Sequence, residues 1–192
     1  MSFTLLGILN SQAAGGSAPP AFEHLATTII YSAVGSVTLT GLNSYTDYAH
    51  LQLRVSTKSQ SSITAGTFHR VNINADYGNN YSYHEMANRG GSMAAENTSP
   101  TDTMYLGTAA TTLGTQNDYM FSSAIMDFPD FLSTTKYKTV HAQTGMHQYS
   151  DSDVRIASGH WRNTSAISSI TFYLQSGQFA PTSRFSIYGI RG

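Results

Sequence analysis

The sequence predicts an all-β protein, an antiparallel β-sandwich of jelly-roll-like form carrying an extended N-terminal arm. Three observations carry that prediction. Apolar residues recur at every second position in several segments, the pattern of strands with one wet face. Charged residues make up 11% of the 192-residue chain, against about 25% in ordinary globular domains. Ser, Thr, Asn, Gln, Gly and Tyr fill the deficit, a mixture that favours short strands and polar turns over Glu- and Lys-rich surface helices. Lastly, Pro19, Pro20, Pro100, Pro129 and Pro181 all fall between the strand candidates, where a missing amide hydrogen costs no ladder bond.

Taken in order, residues 1–20 read as the arm and 21–192 as the sandwich domain. Phe3, Leu5, Leu6, Ile8 and Leu9 form an apolar cluster, and Asn10–Pro20 then contains no large apolar residue. The Gly, Ser and Ala of that stretch make a flexible linker, stiffened at its end by two prolines. Two readings of Phe3–Leu9 stand side by side: an extra strand of its own domain, or a segment that docks on another subunit or protein. "FEHLATTII" from Phe22 can make one helical turn before becoming a strand. "SVTLTGL" sets Val37 and Leu39 against Thr38 and Thr40, and "HLQLRVS" sets Leu51, Leu53 and Val55 against His50, Gln52 and Arg54. "FHRVNINAD" alternates Val71 and Ile73 with Asn72 and Asn74. The stretch 87–118 is poor in large apolar groups and reads as a long surface loop. "YMFSSAIMDF" from Tyr119 is more continuously apolar and reads as a central strand. "TVHAQTGMHQY" and "VRIASGHW" are two further strands separated by the turn "SDSD". "SSITFYLQSG" aligns Ile170, Phe172 and Leu174. The closing "SRFSIYGIRG" places Phe185, Ile187, Tyr188 and Ile190 in a strand expected to lie inside a sheet, since terminal residues fray unless tied down.

Chemistry is harder to find. With 10 basic and 11 acidic residues the net charge is -1, which offers no field to recruit nucleic acid or an acidic membrane surface. No run approaches the ~20 apolar residues of a membrane-spanning helix. The first Lys or Arg is Arg54, so the apolar start lacks the positive region of a secretory signal. The absence of cysteine removes disulfides, thiolate metal sites and cysteine nucleophiles. His141 and His147 share a strand face but stand roughly 20 Å apart, too far to share a metal. Asp76, Asn79, Asn80 and Glu85 gather oxygen around Gly78 in "NADYGNNYSYHE". An Asx-Gly hairpin turn explains them better than calcium does, because the spacing is not that of an EF-hand. Asp151 and Asp153 read as turn residues, and Asp127 and Asp130 as a capped turn around Pro129. Asn97 and Asn163 open glycosylation sequons that only a secreted eukaryotic protein would use. No nucleophile elbow, S-x-x-K or phosphate loop is present. Neither catalytic residue, metal nor cofactor is expected.

The stretch Ser165–Gly192 resembles the C-terminal signature of a family of tailed-bacteriophage virion structural proteins, which close on a sequence similar to "SRFSLYGIKG". The matching residues are Ser183, Arg184, Phe185, Ser186, Tyr188, Gly189 and Ile190, with Ile187 where Leu is common. "MSFTLLGILNSQAAGG" is similar to the family's N-terminal arm. "SVTLTGLNSYTDYAHLQLRV" and "VNINADYGNNYSYHEM" resemble its "HLQ-R" strand and its Asx-Gly turn. The segments occur in order over more than half of the chain, but 87–118 matches nothing. The resemblance implies a β-sandwich on the virion of a phage of aquatic bacteria, made in the host cytoplasm, with no catalytic residue to carry over. A capsid decoration (cement) protein is the first expectation, with the arm residues Phe3, Leu5, Leu6, Ile8 and Leu9 attaching it to other virion proteins. The major capsid protein is the first candidate partner, and a homo-oligomer, trimer favoured, is the expected state. The alternative is a tail-fibre or receptor-binding module for host surface glycans. A third class, a carbohydrate-active enzyme, requires a carboxylate pair facing one cleft.

Overall fold

In the computed structural model the described residues are 20–63, 65–112, 119–148 and 151–192. They form twelve strands: β1 (Phe22–Ile29), β2 (Ser36–Thr40), β3 (His50–Ser59), β4 (Thr67–Ile73), β5 (Tyr81–Arg89), β6 (Ser92–Thr101), β7 (Met104–Thr111), β8 (Ser122–Phe128), β9 (Lys138–Gln148), β10 (Asp151–Trp161), β11 (Ser169–Leu174) and β12 (Arg184–Ile190). The one helical element among them is a 3-10 turn at Leu42–Ser44. Hydrogen bonding runs through a large antiparallel sheet, β1-β12-β3-β8-β9-β10-β5-β6, and a small one, β2-β11-β4-β7. They join at one corner, where β3 and β7 run parallel through Lys58↔Ala110 and Ser59↔Thr111. The arrangement is the expected all-β sandwich, with sheets of unequal width.

The core lies between the sheets. Leu51, Leu53 and Val55 of β3, Met126 and Phe128 of β8, and Ala157 and Trp161 of β10 face Val71 and Ile73 of β4, Leu106 of β7 and Ile170 and Phe172 of β11. Burying each large side chain contributes about 1.5–3 kcal/mol. β12 is an interior strand between β1 and β3, and Phe185 and Ile187 are buried. Phe185 packs against Phe179 and Phe172 at ring separations of 5.1 and 5.4 Å. Tyr188 and Ile190 correct the expectation of a uniformly core strand. With a side-chain period of two they share the opposite face, where both are only partly buried.

Five further expectations change. Asp151 and Asp153 are not turn residues but belong to β10, where Asp153 is buried. The stretch 87–118 is not a loop through its described part, which holds the end of β5 and all of β6 and β7. β7 escapes a hydrophobicity count because its residues are small where the sheets approach closely. A Cβ on Gly107 would stand 2.0 Å from the Thr144 side chain on β9, and one on Gly159 of β10 2.5 Å from Met104. Pro100 lies within β6 rather than between strands. β6 is an edge strand whose pairing with β5 is irregular between Tyr81 and Tyr83, the setting in which a strand tolerates proline. Phe22–Ile29 is strand throughout, with no helical turn. The Asx-Gly turn after Ile73 does not make a hairpin, because β4 pairs with β7 and β11 while β5 pairs with β6 and β10. It carries the chain from one sheet to the other.

Candidate functional site

Two strands break the usual rule of apolar inside and polar outside. On β10, Asp153 and Arg155 are 3% exposed, while Val154 and Ile156 between and beside them are 64% and 55% exposed. Its neighbour β5 repeats the inversion: Glu85 is buried at 2% and Met86 is exposed at 51%. Strand periodicity explains how this persists. Ala157, Gly159 and Trp161 are inward-facing at the other end of β10, so a slip of one residue that buried Val154 and Ile156 would expose the indole.

The inward charges are paired with one another. Arg155 bonds to Glu85 and also donates from Nε to Asp153 Oδ2 at 2.6 Å. Arg89 reaches Glu85 at 3.1 Å and Glu96 at 2.9 Å. The Arg155 guanidinium lies 4.5 Å above the Phe68 ring of the small sheet. Phe68, Tyr105 and Tyr83 continue as a stack at 5.1 and 4.9 Å. Planar cations on aromatic faces thus bridge β5 and β10 to β4 and β7. This is cross-bracing, with each ionised group met by a partner.

The outward residues form a surface. Along one register row Arg54, Ile125, Gln143, Ile156, Met86 and Ala95 stand opposite one another across β3, β8, β9, β10, β5 and β6. The adjacent row runs Ser123, Gly145, Val154, Asn88 and Met93. Ile125 and Met93 are 39% and 65% exposed, so five large apolar side chains share a neutral strip. A shallow hollow of about 380 Å³ beside Ile125 and Ile156 is also lined by Gln52, Asp127 and His141. At the β1 side Phe22 stacks on Tyr188 at 4.8 Å, and the Arg54 guanidinium lies 5.3 and 5.1 Å from the two rings. Contiguous exposed apolar surface rimmed by polar groups marks an interaction site.

The other candidates are dispersed. The arm residues Phe3, Leu5, Leu6, Ile8 and Leu9 lie outside the described residues. Asp127 accepts from Gln52 at 2.9 Å on the outer face, whereas Asp130, in the turn beyond β8, is held by Lys136. Each has its own partner, and the two do not form a carboxylate pair on one cleft. The Asp76 carboxylate is filled by donors: Gly78 N–H at 2.9 Å, the Asn80 amide at 2.9 Å and the Trp161 indole N–H at 2.8 Å. Burial raises its pKa, but these bonds outweigh burial and hold it below the usual carboxylate range. Glu85 points to Arg155 instead of joining Asp76, so the imagined oxygen cluster does not assemble. His141 and His147 are both on the exposed face of β9. No group of three His, Asp or Glu side chains placed to hold a metal occurs among the described residues.

The inversion on β5 and β10 was readable in "DVRIASGHW", whose alternation puts Val154 and Ile156 opposite Trp161 and Ala157. It was missed because a single strand cannot say which of its two faces the core will take. No protein-family model matches the chain, and no curated protein matches it at a significant level.

Proposed function

We propose that the protein is a non-enzymatic structural component of a bacteriophage particle, a decoration or cement protein that attaches to other virion proteins through the outer face of its large sheet. The observation carrying this reading is the inverted polarity of β5 and β10. Val154, Ile156 and Met86 face outward on strands that bury Glu85, Asp153 and Arg155 inside, and Ile125 of β8 and Met93 of β6 extend the apolar surface. Leaving apolar groups in water forgoes stabilisation, so their placement is accounted for by a surface that covers them. The covering surface must be broad and nearly neutral, which suits a protein partner in a lasting assembly: interface cores are depleted in charge and enriched in Met and aromatic residues. The C-terminal resemblance is what suggests a virion setting, with synthesis in the host cytoplasm. The major capsid protein is the first partner to test, and a trimer the first oligomer.

The Phe22–Tyr188 stack favours a second reading, a tail-fibre module binding host glycans, because an exposed aromatic platform with an adjacent Arg suits a sugar ring. Stoichiometry in purified particles separates the two. A copy number that scales with the shell subunits supports decoration, and a few copies confined to the tail support the glycan reading. Absence from the particle removes both.

A further inference from the structure

We infer that the neutral strip on the outer face is the seat of the chain's own N-terminal segment, Phe3–Leu9 lying across β8, β10 and β5 while the protein is free. The inference rests on the reading of this face as a docking surface and identifies what holds it before a partner does. Residues 1–19 lie outside the described structure, and the described chain begins at Pro20, immediately before β1. β1 is the outermost strand of the same sheet, and the Pro20 carbonyl accepts from Arg191 Nε at 3.3 Å. The segment therefore departs from the edge of the sheet that carries the strip.

Reach is sufficient. The Ile125–Ile156 row meets β1 at Thr27, through Ser186 and Arg54, some way along the strand from Pro20. With steps of about 4.8 Å across the sheet and about 3.3 Å along it, Ile125 lies roughly 27 Å from Pro20 and Ile156 roughly 33 Å. The linker Asn10–Pro20, fully extended, spans up to about 36 Å. The linker reaches Ile125 in a largely extended form, and the tether keeps the segment beside the face at any dilution of the protein.

Chemistry matches as well. No Asp, Glu, Lys or Arg precedes Glu23 in the chain. The two rows contain none from Ile125 to Ala95 or from Ser123 to Met93. A charged occupant would find counter-charges only at the Arg54 end of the strip and at Asp127 in the hollow beside Ile125 and Ile156, whereas the uncharged segment has no charge to desolvate along the rest of it. It presents Phe3, Leu5, Leu6, Ile8 and Leu9 to Ile125, Val154, Ile156, Met86 and Met93. A strip and a segment that are each an aggregation liability in water cover one another, which keeps the unassembled protein dispersed. Both are released together when a particle surface competes for either.

The test uses the full chain with a benzophenone side chain installed at position 156, irradiated at high dilution. Cross-links are expected to residues within Phe3–Leu9, in product of monomer mass, with no hybrid product when isotopically light and heavy protein are mixed. Hybrid products would assign the strip to a second copy, and cross-links that avoid the segment would leave it elsewhere; either overturns the inference. Deleting Met1–Leu9 and the single change Leu6→Asp should each raise ANS fluorescence several-fold, and an unchanged signal in both overturns it too. Particle attachment of Ile156→Lys separates the two claims. Lost attachment without a segment cross-link sinks the seat and keeps the docking face. Retained attachment removes the face from attachment, whatever covers it.

Discussion

The two faces of β10 differ more than any two separate elements of the molecule. Inward, Asp153 and Arg155 are enclosed with Glu85 under the Phe68 ring. Outward, Val154 and Ile156 stand in water. The inner face is held by pairing and the outer one is held by nothing in the described chain. The lesson is that burial on a strand is decided collectively. Trp161, 1% exposed, and its Nε1–H bond to Asp76 at 2.8 Å fix the phase of the whole strand, and the charges at its other end must find partners where they fall.

The largest expected effect breaks the inner face. Arg155→Met leaves Glu85 and Asp153 buried with little compensation, and removing one partner of such a network costs about 3–5 kcal/mol. Urea titration checks it. A triple variant replacing Glu85, Asp153 and Arg155 together by apolar residues should regain most of the loss. If it does not, the network sets the strand phase as well as its own pairing. Phe185→Ala should cost a comparable amount, about 3–5 kcal/mol for a buried aromatic, because the ring is fully enclosed by Phe172 and Phe179. An unchanged melting temperature would show β12 to be peripheral.

A somewhat smaller effect is set by pH. His69 on β4 is fully buried, its Nε2 is 2.7 Å from Thr57 Oγ1, and burial pushes its pKa down from 6.5 to about 4. The unfolded chain therefore takes up the proton first. Stability contributed by the neutral imidazole is complete above the unfolded value and is lost as pH falls from about 6.5 toward 4, by roughly 3 kcal/mol in all. Carboxylates titrate nearby, so the quantity to measure is the difference in unfolding free energy between wild type and His69→Gln across that range. A flat difference would show that His69 is not held neutral.

Much of the fold was legible because most strands obey alternation: Val37 and Leu39, then Leu51, Leu53 and Val55, are buried as their spacing requires. What failed did so for physical reasons. β7 was hidden because close sheet packing selects Gly107, Ala109 and Ala110, which carry almost no hydrophobic signal. β6 was hidden because an edge strand exposed on both faces has no pattern to show. The turn at Asp76 was read correctly in chemistry and wrongly in connectivity, since an Asx turn satisfies its own backbone whichever strands it joins. The outer-face site depended on phase. Val154 and Ile156 are legible as one face of a strand, but that this face is the outer one follows only from the burial of Trp161.

The smallest effect on stability should have the largest consequence for assembly. Ile156 is more than half exposed on a strand paired on both sides by β9 and β5, so Ile156→Thr keeps a β-branched residue in a half-open position. Exposed substitutions of this kind change stability by about 0.5 kcal/mol or less, and the melting temperature should hardly move. Solubility should improve, because one member of the apolar strip is gone. Incorporation into particles should fall, and Val154→Thr in addition should lower it further, since the two side chains lie in adjacent rows of one surface. Placing the same change inward, at Ala157, gives the matching control. A β-branched residue there collides with the closely packed small sheet and should lower stability without selectively lowering attachment of the protein that still folds. If Ile156→Thr and Ala157→Thr reduce incorporation only in proportion to lost stability, the outer face is no more than surface, and the difference between the two sides of β10 has no part in attachment.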